Sequence, residues 1–385
     1  MTAWLAGCVQ PTSVVATAPE AEPAAMADPG AIVVIGGRLE PDNQALYRAM
    51  LELREGTGPV CVVPTASADP DASMQAYMGD FLRFGGPTAA VGVAIVDGDF
   101  DAVADPAVVA RLRACSGFFF TGGDQSRIVD TFVPDGRSSP AAEVIRARHA
   151  AGAFVAGTSA GAAMMSDPMI GSGEPVAALE HGVCASDGCP GVWVREGMGF
   201  WPGWITDQHF LVRGRAGRLL AVVVGLEHGP RRGLGVDEDT GVIVRGGQAE
   251  VVGRSGALRI DASAATRRGE TGSETWSGIV VDLYGPGDRF TLADGRLLEP
   301  PISAEVAEPR RLPEPPAAPF EGAAFVELLL AIAAAQPDPR PVTLTGEGWE
   351  VAVVAGPGFH AGAPRGELAI GSAGPFLLEL RLAEP

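Results

Sequence analysis

The sequence predicts an α/β fold: a doubly wound, mostly parallel sheet with extra C-terminal strands and a helix. Three observations carry that prediction. Hydrophobic residues make up 46% and charged residues 19% of 385, enough to build a sizeable core and too apolar for global disorder. From Ala31 onward, short β-branched runs are apolar at nearly every position, as strands covered on both faces must be. Stretches of helical length and composition separate those runs, and this alternation means a parallel sheet flanked by helices.

Taken in order, residues 1–30 stand outside the fold. Met1–Cys8 ends in Leu-Ala-Gly-Cys, similar to a bacterial lipid-attachment box with Cys8 as acceptor. Residues 9–30 are rich in Ala, Pro, Thr and Glu and lack aromatic residues, which suits a flexible tether. The expectation is an exported or cell-envelope lipoprotein whose translation starts upstream; failing that, the box is a coincidence and the protein is cytoplasmic.

Strands are expected at Ala31–Gly37, Val60–Ala66, Ala89–Val96, Gly117–Thr121 and Ala153–Ala156. Helices are expected between them at Gln44–Glu55, Ser73–Phe84, Pro106–Cys115 and Ala141–Ala151. A helix at Gly214–Leu226 precedes runs at Gly233–Val236, Val242–Val244, Glu250–Val252 and Ile279–Leu283, which read as strands extending or edging the same sheet. Residues 31–298 are therefore expected to form the main α/β domain, the one that would carry any catalytic site. Residues 299–319 are too proline-rich for regular structure and read as a linker. Residues 320–385 add a helix at Phe320–Gln336 and strands at Val342–Val354 and Phe376–Leu382, an accessory segment too small to stand alone that packs on the main body.

Charge and residue usage exclude several function classes. A net charge of −19 argues against a nucleic-acid partner, since phosphate binding needs a basic face. All 28 basic residues are arginine, which removes Ser-Lys dyads, Schiff-base lysines and the P-loop lysine. Cys61 and Cys115 lie in or beside apolar runs and are expected as buried thiols. Cys184 and Cys189 bracket Ala-Ser-Asp-Gly and close a disulfide loop if the protein is exported, or remain two surface thiols if it is not. The five histidines are scattered without metal-site spacing, so no zinc site is expected. Membrane contact is expected only through the lipid anchor.

The chemistry concentrates in Ala153–Met165, a strand, a Gly-x-Ser-x-Gly turn and an Ala-rich helix start. A nucleophile on a sharp strand-to-helix turn needs small neighbours, and that turn lifts the Ser159 hydroxyl out at the carboxyl edge of the sheet. The bland alternative makes Ser159 a helix N-cap. Serine needs a base. His149 and His228 are explained by helix C-termini, His181 lies beside the cysteine loop, and His360 falls in the accessory segment. His209, in Thr206-Asp-Gln-His-Phe210, stands at a strand-to-helix junction. Arg213, Arg215 and Arg218 follow it, unfavourable at a helix N-terminus unless an anion such as a substrate carboxylate binds there; the alternative is a solvated turn. Asp237, Glu238 and Asp239 end a short strand, and the residues themselves do not choose which one orients the base. Gly122-Gly123 ends another strand, so a bare N–H there joins that of Ala160 as a candidate oxyanion donor; the alternative is an ordinary tight βα turn.

Five ordered blocks resemble the cyanophycinase and dipeptidase E family of serine peptidases: Val34–Gly37, Thr121–Gln125, Gly157–Ala162, Asp207–Phe210 with its following arginines, and Gly235–Thr240. The arginine-bearing block is more similar to cyanophycinases than to the dipeptidases. The resemblance implies a flavodoxin-like sheet related to class I glutamine amidotransferases, with serine replacing their cysteine. It implies Ser159 as nucleophile, His209 as general base and Glu238 as orienting acid, with Gly123 and Ala160 at the oxyanion. It also implies a substrate pocket of Gln125, Asp207, Gln208, Arg213, Arg215 and Arg218, no cofactor, and a homodimer. The implied reaction releases β-Asp-Arg dipeptides from a poly-aspartate that carries arginine on its side chains. Asp124 departs from the asparagine frequent in the family. Competing readings are a dipeptidase for other Asp or isoAsp peptides, a catalytically silent surface binding protein, and an acyltransferase using the same serine.

Overall fold

The computed structural model describes residues 29–270, 273–299, 313–335, 340–361 and 373–382. Cys8 and nearly all of the N-terminal tether lie outside these residues, as does much of the proline-rich segment. The first half alternates strand and helix: β1 (Ile32–Ile35), α1 (Gln44–Glu52), β2 (Val60–Val63), α2 (Pro70–Gly85), β3 (Ala90–Gly92), α3 (Pro106–Arg113), β4 (Gly117–Phe120), α4 (Gln125–Phe132), α5 (Pro140–Ala150) and β5 (Phe154–Thr158). Local chemistry explains where the helices begin. Asn43, Asp69, Asp105, Asp124 and Ser139 each accept a backbone N–H from the first turn of α1 to α5 in succession. Proline occupies the first turn of α2, α3 and α5, where its missing N–H is no loss.

The chain continues through α6 (Ala160–Ala163), β6 (Met169–Ser172), α7 (Pro175–His181), β7 (Val183–Cys184), β8 (Val192–Arg195), β9 (Ile205–Gln208), α8 (Ala216–Gly225), β10 (Arg232–Val236), β11 (Thr240–Arg245), β12 (Gln248–Gly253), β13 (Ala257–Asp261), β14 (Thr266–Glu270), β15 (Ser273–Tyr284) and β16 (Arg289–Thr291). It closes with α9 (Ala324–Ala334), β17 (Val342–Gly346), β18 (Trp349–Ala361) and β19 (Ala373–Leu382).

The first sheet runs β16-β12-β11-β1-β5-β4-β2-β3, parallel from β1 to β3 and antiparallel from β11 outward. Period-two alternation sends Val33, Ile35, Val62 and Phe119 to a core with Tyr47 and Phe81 of α1 and α2. Ile32, Val34, Val63 and Phe120 point the other way, onto Leu112, Phe132 and Ile145 of α3 to α5. The sheet is thus covered on both faces.

Two of the anticipated edge strands belong elsewhere. The segments 233–236 and 279–283 lie in a second sheet, β17-β18-β19-β15-β13-β10-β9, in which only β9 and β10 pair in parallel. The run 342–354 is not one strand: β17 and the start of β18 form a hairpin about residues 346–349. The strands after residue 340 therefore continue the sheet that begins at β9. One core joins α7 and α8 to α9 beneath it. A small third sheet orders β6-β8-β7.

The cysteines correct a second expectation. Cys61 and Cys115 are not separate thiols but a disulfide, with Cα atoms 5.9 Å apart. β2 pairs with β4, and Cys115 lies two residues before β4, so the adjacency of those strands brings the two sulfurs together. Cys184 and Cys189 are also bonded, Cα to Cα 6.6 Å. Among the described residues, no helix is long and apolar enough to cross a membrane.

Candidate active site

β5 ends at Thr158 and α6 starts at Ala160, leaving Ser159 alone on the turn at φ 53°, ψ −111°. That backbone costs a non-glycine residue on the order of 1–3 kcal/mol and persists only where packing enforces it. The enforcement is visible: a Cβ at Gly157 would stand 2.0 Å from the Gly161 carbonyl oxygen, and one at Gly161 would stand 2.4 Å from that of Phe120. Only glycine fits at the positions two before and two after the serine. Met164, Met165 and the alanines of α6 are buried, which fixes the helix behind the turn.

His209 follows β9 at φ 49°, its N–H donating to the Gly36 carbonyl at 2.6 Å. Gly37, at φ 110°, lies against the imidazole, where a Cβ would come within 2.3 Å of Cε1. Glu238 follows β10, the parallel neighbour of β9. Ser159 Oγ lies 2.8 Å from His209 Nε2, and His209 Nδ1 lies 2.7 Å from Glu238 Oε1. An ionised carboxylate only accepts, so Nδ1 carries the proton and Nε2 is left to accept from the serine hydroxyl.

The geometry separates the three consecutive carboxylates. Asp237 turns inward, accepting the Leu211 and Val212 N–H groups at 3.1 and 3.0 Å and the Ser255 hydroxyl at 2.6 Å. Asp239 accepts from Asn43 Nδ2 at 2.8 Å and the Glu40 N–H at 3.0 Å, and pairs with Arg254. Glu238 alone meets the imidazole. Arg38 Nε stands 3.4 Å from the same Glu238 oxygen, from the solvent side.

A cavity of about 480 Å³ opens over Ser159, lined by Gly123, Gln125, Gly171 to Glu174, Gln208, His209 and three arginines, 213, 215 and 218. Gly123 turns at φ 142° against the Ala66 carbonyl, which leaves no room for a side chain. Ala160 opens α6, so its N–H has no intrahelical acceptor. Gln125 donates to the Ile170 and Gly171 carbonyls at 3.1 and 2.5 Å and so fastens the cavity wall. Arg215 donates to the Gln208 side-chain and main-chain oxygens at 2.8 and 2.7 Å.

Asp207 is the exception among the expected pocket residues. It is 1% exposed and does not line the cavity. It binds Arg218 with both carboxylate oxygens, at 2.8 Å to Nε and 2.5 Å to Nη2, while Arg218 Nη1 donates to the Gly173 carbonyl at 2.9 Å. Its work is to hold that arginine, which explains how a cation is kept in the first turn of α8. Arg213 stands exposed at the mouth and makes no ion pair with any described residue.

Burial lowers the His209 pKa below its ordinary value; the Glu238 hydrogen bond opposes this, while the Arg213 and Arg215 charges add to it. Burial likewise pushes Arg215 down to about 10, against the pull of Asp207. Sequence reasoning missed Gly171 to Glu174 and Arg38. The Gly-Ser-Gly-Glu-Pro run before α7 is a loop-and-helix-start signal that marks the first group. Nothing in composition marks Arg38.

The profile of Peptidase family S51 matches residues 32–252, which include all three members of the hydrogen-bonded chain. The cyanophycinase of Nostoc sp. is 34% identical over 279 residues, covering 68% of this chain and 85% of that protein. The cyanophycinase of Geminocystis herdmanii is 29% identical over 269 residues, covering 67% and 92%. A crystal structure of a peptidase from an acI-B1 Actinobacterium aligns over 60% of this chain and 91% of its own, at TM-score 0.47 and 16% identity. The extent of the profile match and the cyanophycinase relatives together show that the chain belongs to Peptidase family S51 and is a serine peptidase related to the cyanophycinases.

Proposed function

We propose that this peptidase hydrolyses a β-aspartyl-arginine polymer of the cyanophycin type, releasing dipeptides through an acyl-enzyme on Ser159. The observation that carries the reading is the unbroken chain Ser159–His209–Glu238 at the edge of a cavity that presents Arg213, Arg215 and Arg218. Guanidinium groups suit the carboxylates of an aspartate backbone, and Glu174 on the same wall suits an arginine side chain. Relatives named cyanophycinase support the same substrate class.

Each group has a step. Ser159 Oγ attacks the scissile carbonyl carbon as its proton passes to His209 Nε2. Glu238 holds Nδ1–H and stabilises the imidazolium that forms. The Ala160 and Gly123 N–H groups receive the developing oxyanion at the start of α6. His209 then returns the proton to the leaving nitrogen, and water repeats the sequence on the ester to free the serine. The two disulfides support an oxidising compartment, and with it export, as part of this proposal.

The test is dipeptide release from purified cyanophycin by the full chain and by Ser159→Ala. Release by the parent with a loss of at least about 10³-fold in the variant is expected. A protein whose Ser159 reacts with a serine-directed phosphonate, and which unlabelled leaves the polymer intact but cleaves Asp dipeptides, would replace the substrate assignment.

A further inference from the structure

We infer that the chain beyond the family-matched region supplies a buttress for the arginine-bearing loop, and that Phe320 is its positioning residue. The inference rests on the reading that Arg213, Arg215 and Arg218 bind the substrate.

The loop between His209 and α8 is held from two sides. From within, Asp237 accepts the Leu211 and Val212 N–H groups. From without, the chain that follows the proline-rich segment lies directly on Gly214. That glycine has φ 62°, and a Cβ there would stand 2.3 Å from the Phe320 carbonyl oxygen and 3.0 Å from that of Gly322. Two backbones therefore meet with no side chain between them, midway between Arg213 and Arg215. The ring of Phe320 reaches one turn further, to Gly217, where a Cβ would lie 3.3 Å from its Cγ. Gly217 is the residue before Arg218. One residue of the accessory segment thus touches the chain beside all three arginines.

Phe320 is itself fixed. It is 2% exposed, with ring centroids 5.3 Å from Phe325 of α9 and 5.5 Å from Trp349 of β18. β18 leads through β19, β15, β13 and β10 to β9, the strand that delivers His209. Phe320 thus packs on Trp349 of the sheet whose other end is β9, so its distance from the strand it serves is set by packing. Asp207 and Gln208 restrain the heads of Arg218 and Arg215, but Arg213 has no ion-pair partner among the described residues. The placement of Arg213 depends on its backbone, which is what Phe320 and Gly322 press upon.

The test uses the full chain with Phe320→Ala and Phe320→Leu. Four quantities are measured on each: KM and kcat for dipeptide release from cyanophycin, the rate at which a small uncharged fluorophosphonate labels Ser159, and the thermal unfolding midpoint. The phosphonate needs the nucleophile and base but not the arginines. Expected for Phe320→Ala is a KM raised about tenfold, with kcat and labelling rate within about twofold of the parent. Phe320→Leu keeps much of the volume and should fall between, and it preserves the test if the alanine variant does not fold. An unchanged KM in both variants would overturn the buttress. So would a loss of kcat and labelling rate matching the change in KM, which marks general damage. A parent that is labelled but ignores the polymer removes the substrate reading, and the inference with it; that failure is seen in the parent alone.

Discussion

Ser159 at φ 53° and His209 at 49° carry left-handed backbone and are hydrogen-bonded to each other, while Arg38 at 44° pairs with Glu238 and Asp239 at 49° follows it in the chain. Strain of this kind is maintained by the surrounding contacts, and here those contacts aim three side chains at one another. The lowered His209 pKa has a direct kinetic sign. A base with depressed pKa stays neutral, and so competent to take the serine proton, at pH values where an ordinary histidine is half protonated. On acidification, kcat/KM should hold through the ordinary value of about 6.5 and inflect only below it. An inflection at or above that value would contradict the buried, arginine-flanked setting. Glu238→Gln keeps the shape but not the charge, so Nδ1–H is no longer compelled and the imidazolium loses its counter-charge. A fall in kcat of about 10³–10⁴-fold with an unchanged unfolding midpoint is expected. Retained activity would assign the orienting role to another group.

At the scale of elements, the two disulfides differ in what they constrain. Cys61 and Cys115 are 54 residues apart, Cys184 and Cys189 only 5, so the loop-entropy argument assigns about 4 kcal/mol to the first and about 2 to the second. Urea unfolding of the paired Cys61→Ala, Cys115→Ala protein should show the larger loss; equal midpoints for the two double variants would refute the ranking. This bridge was illegible in the sequence because an apolar run buries a thiol and a disulfide alike, and the pairing depends on β2 lying beside β4. The first sheet was legible where burial is two-sided and continuous, as in Val60–Val63 and Gly117–Phe120. The second sheet was not, because a buried run such as Arg232–Val236 carries no mark of which sheet it joins, and β14 is exposed along its whole length. In the site, Ser159 and His209 could be read from residue type and context. Glu238 could not be separated from Asp237 and Asp239, since their divergence comes from a turn with left-handed backbone at Asp239. Asp207 was placed in the pocket by the family resemblance, and a matching motif does not distinguish a residue facing substrate from one facing Arg218.

Across the whole molecule, the family-matched stretch ends within β12, yet the sheet that carries His209 and Glu238 is completed by strands beyond it. β9 and β10 lie at one end of that sheet, and β19, β18 and β17 at the other. The core under it is shared: Leu219, Val222 and Val223 of α8 meet the same cluster as Leu329 and Ile332 of α9 and Phe376, Leu378 and Leu380 of β19. Ending the chain at residue 299 would remove the far half of this core and strip β15 of its hydrogen-bonded neighbour along Thr275–Leu283. Leu258, Ile260, Ile279, Val281 and Leu283, all fully buried, would lose cover. At about 1.5–3 kcal/mol for each large apolar side chain exposed, even partial exposure of the five approaches the entire 5–15 kcal/mol that holds a typical domain folded. The bare edge of β15 would add a template for aggregation. A protein truncated after Glu299 should therefore fail to accumulate in soluble form or to be labelled at Ser159. One lacking residues 1–28 should match the parent in soluble yield and labelling rate. A soluble 299-residue form with parental labelling would mean that the two halves of the second sheet fold independently, and that the catalytic strands need no support from beyond β16.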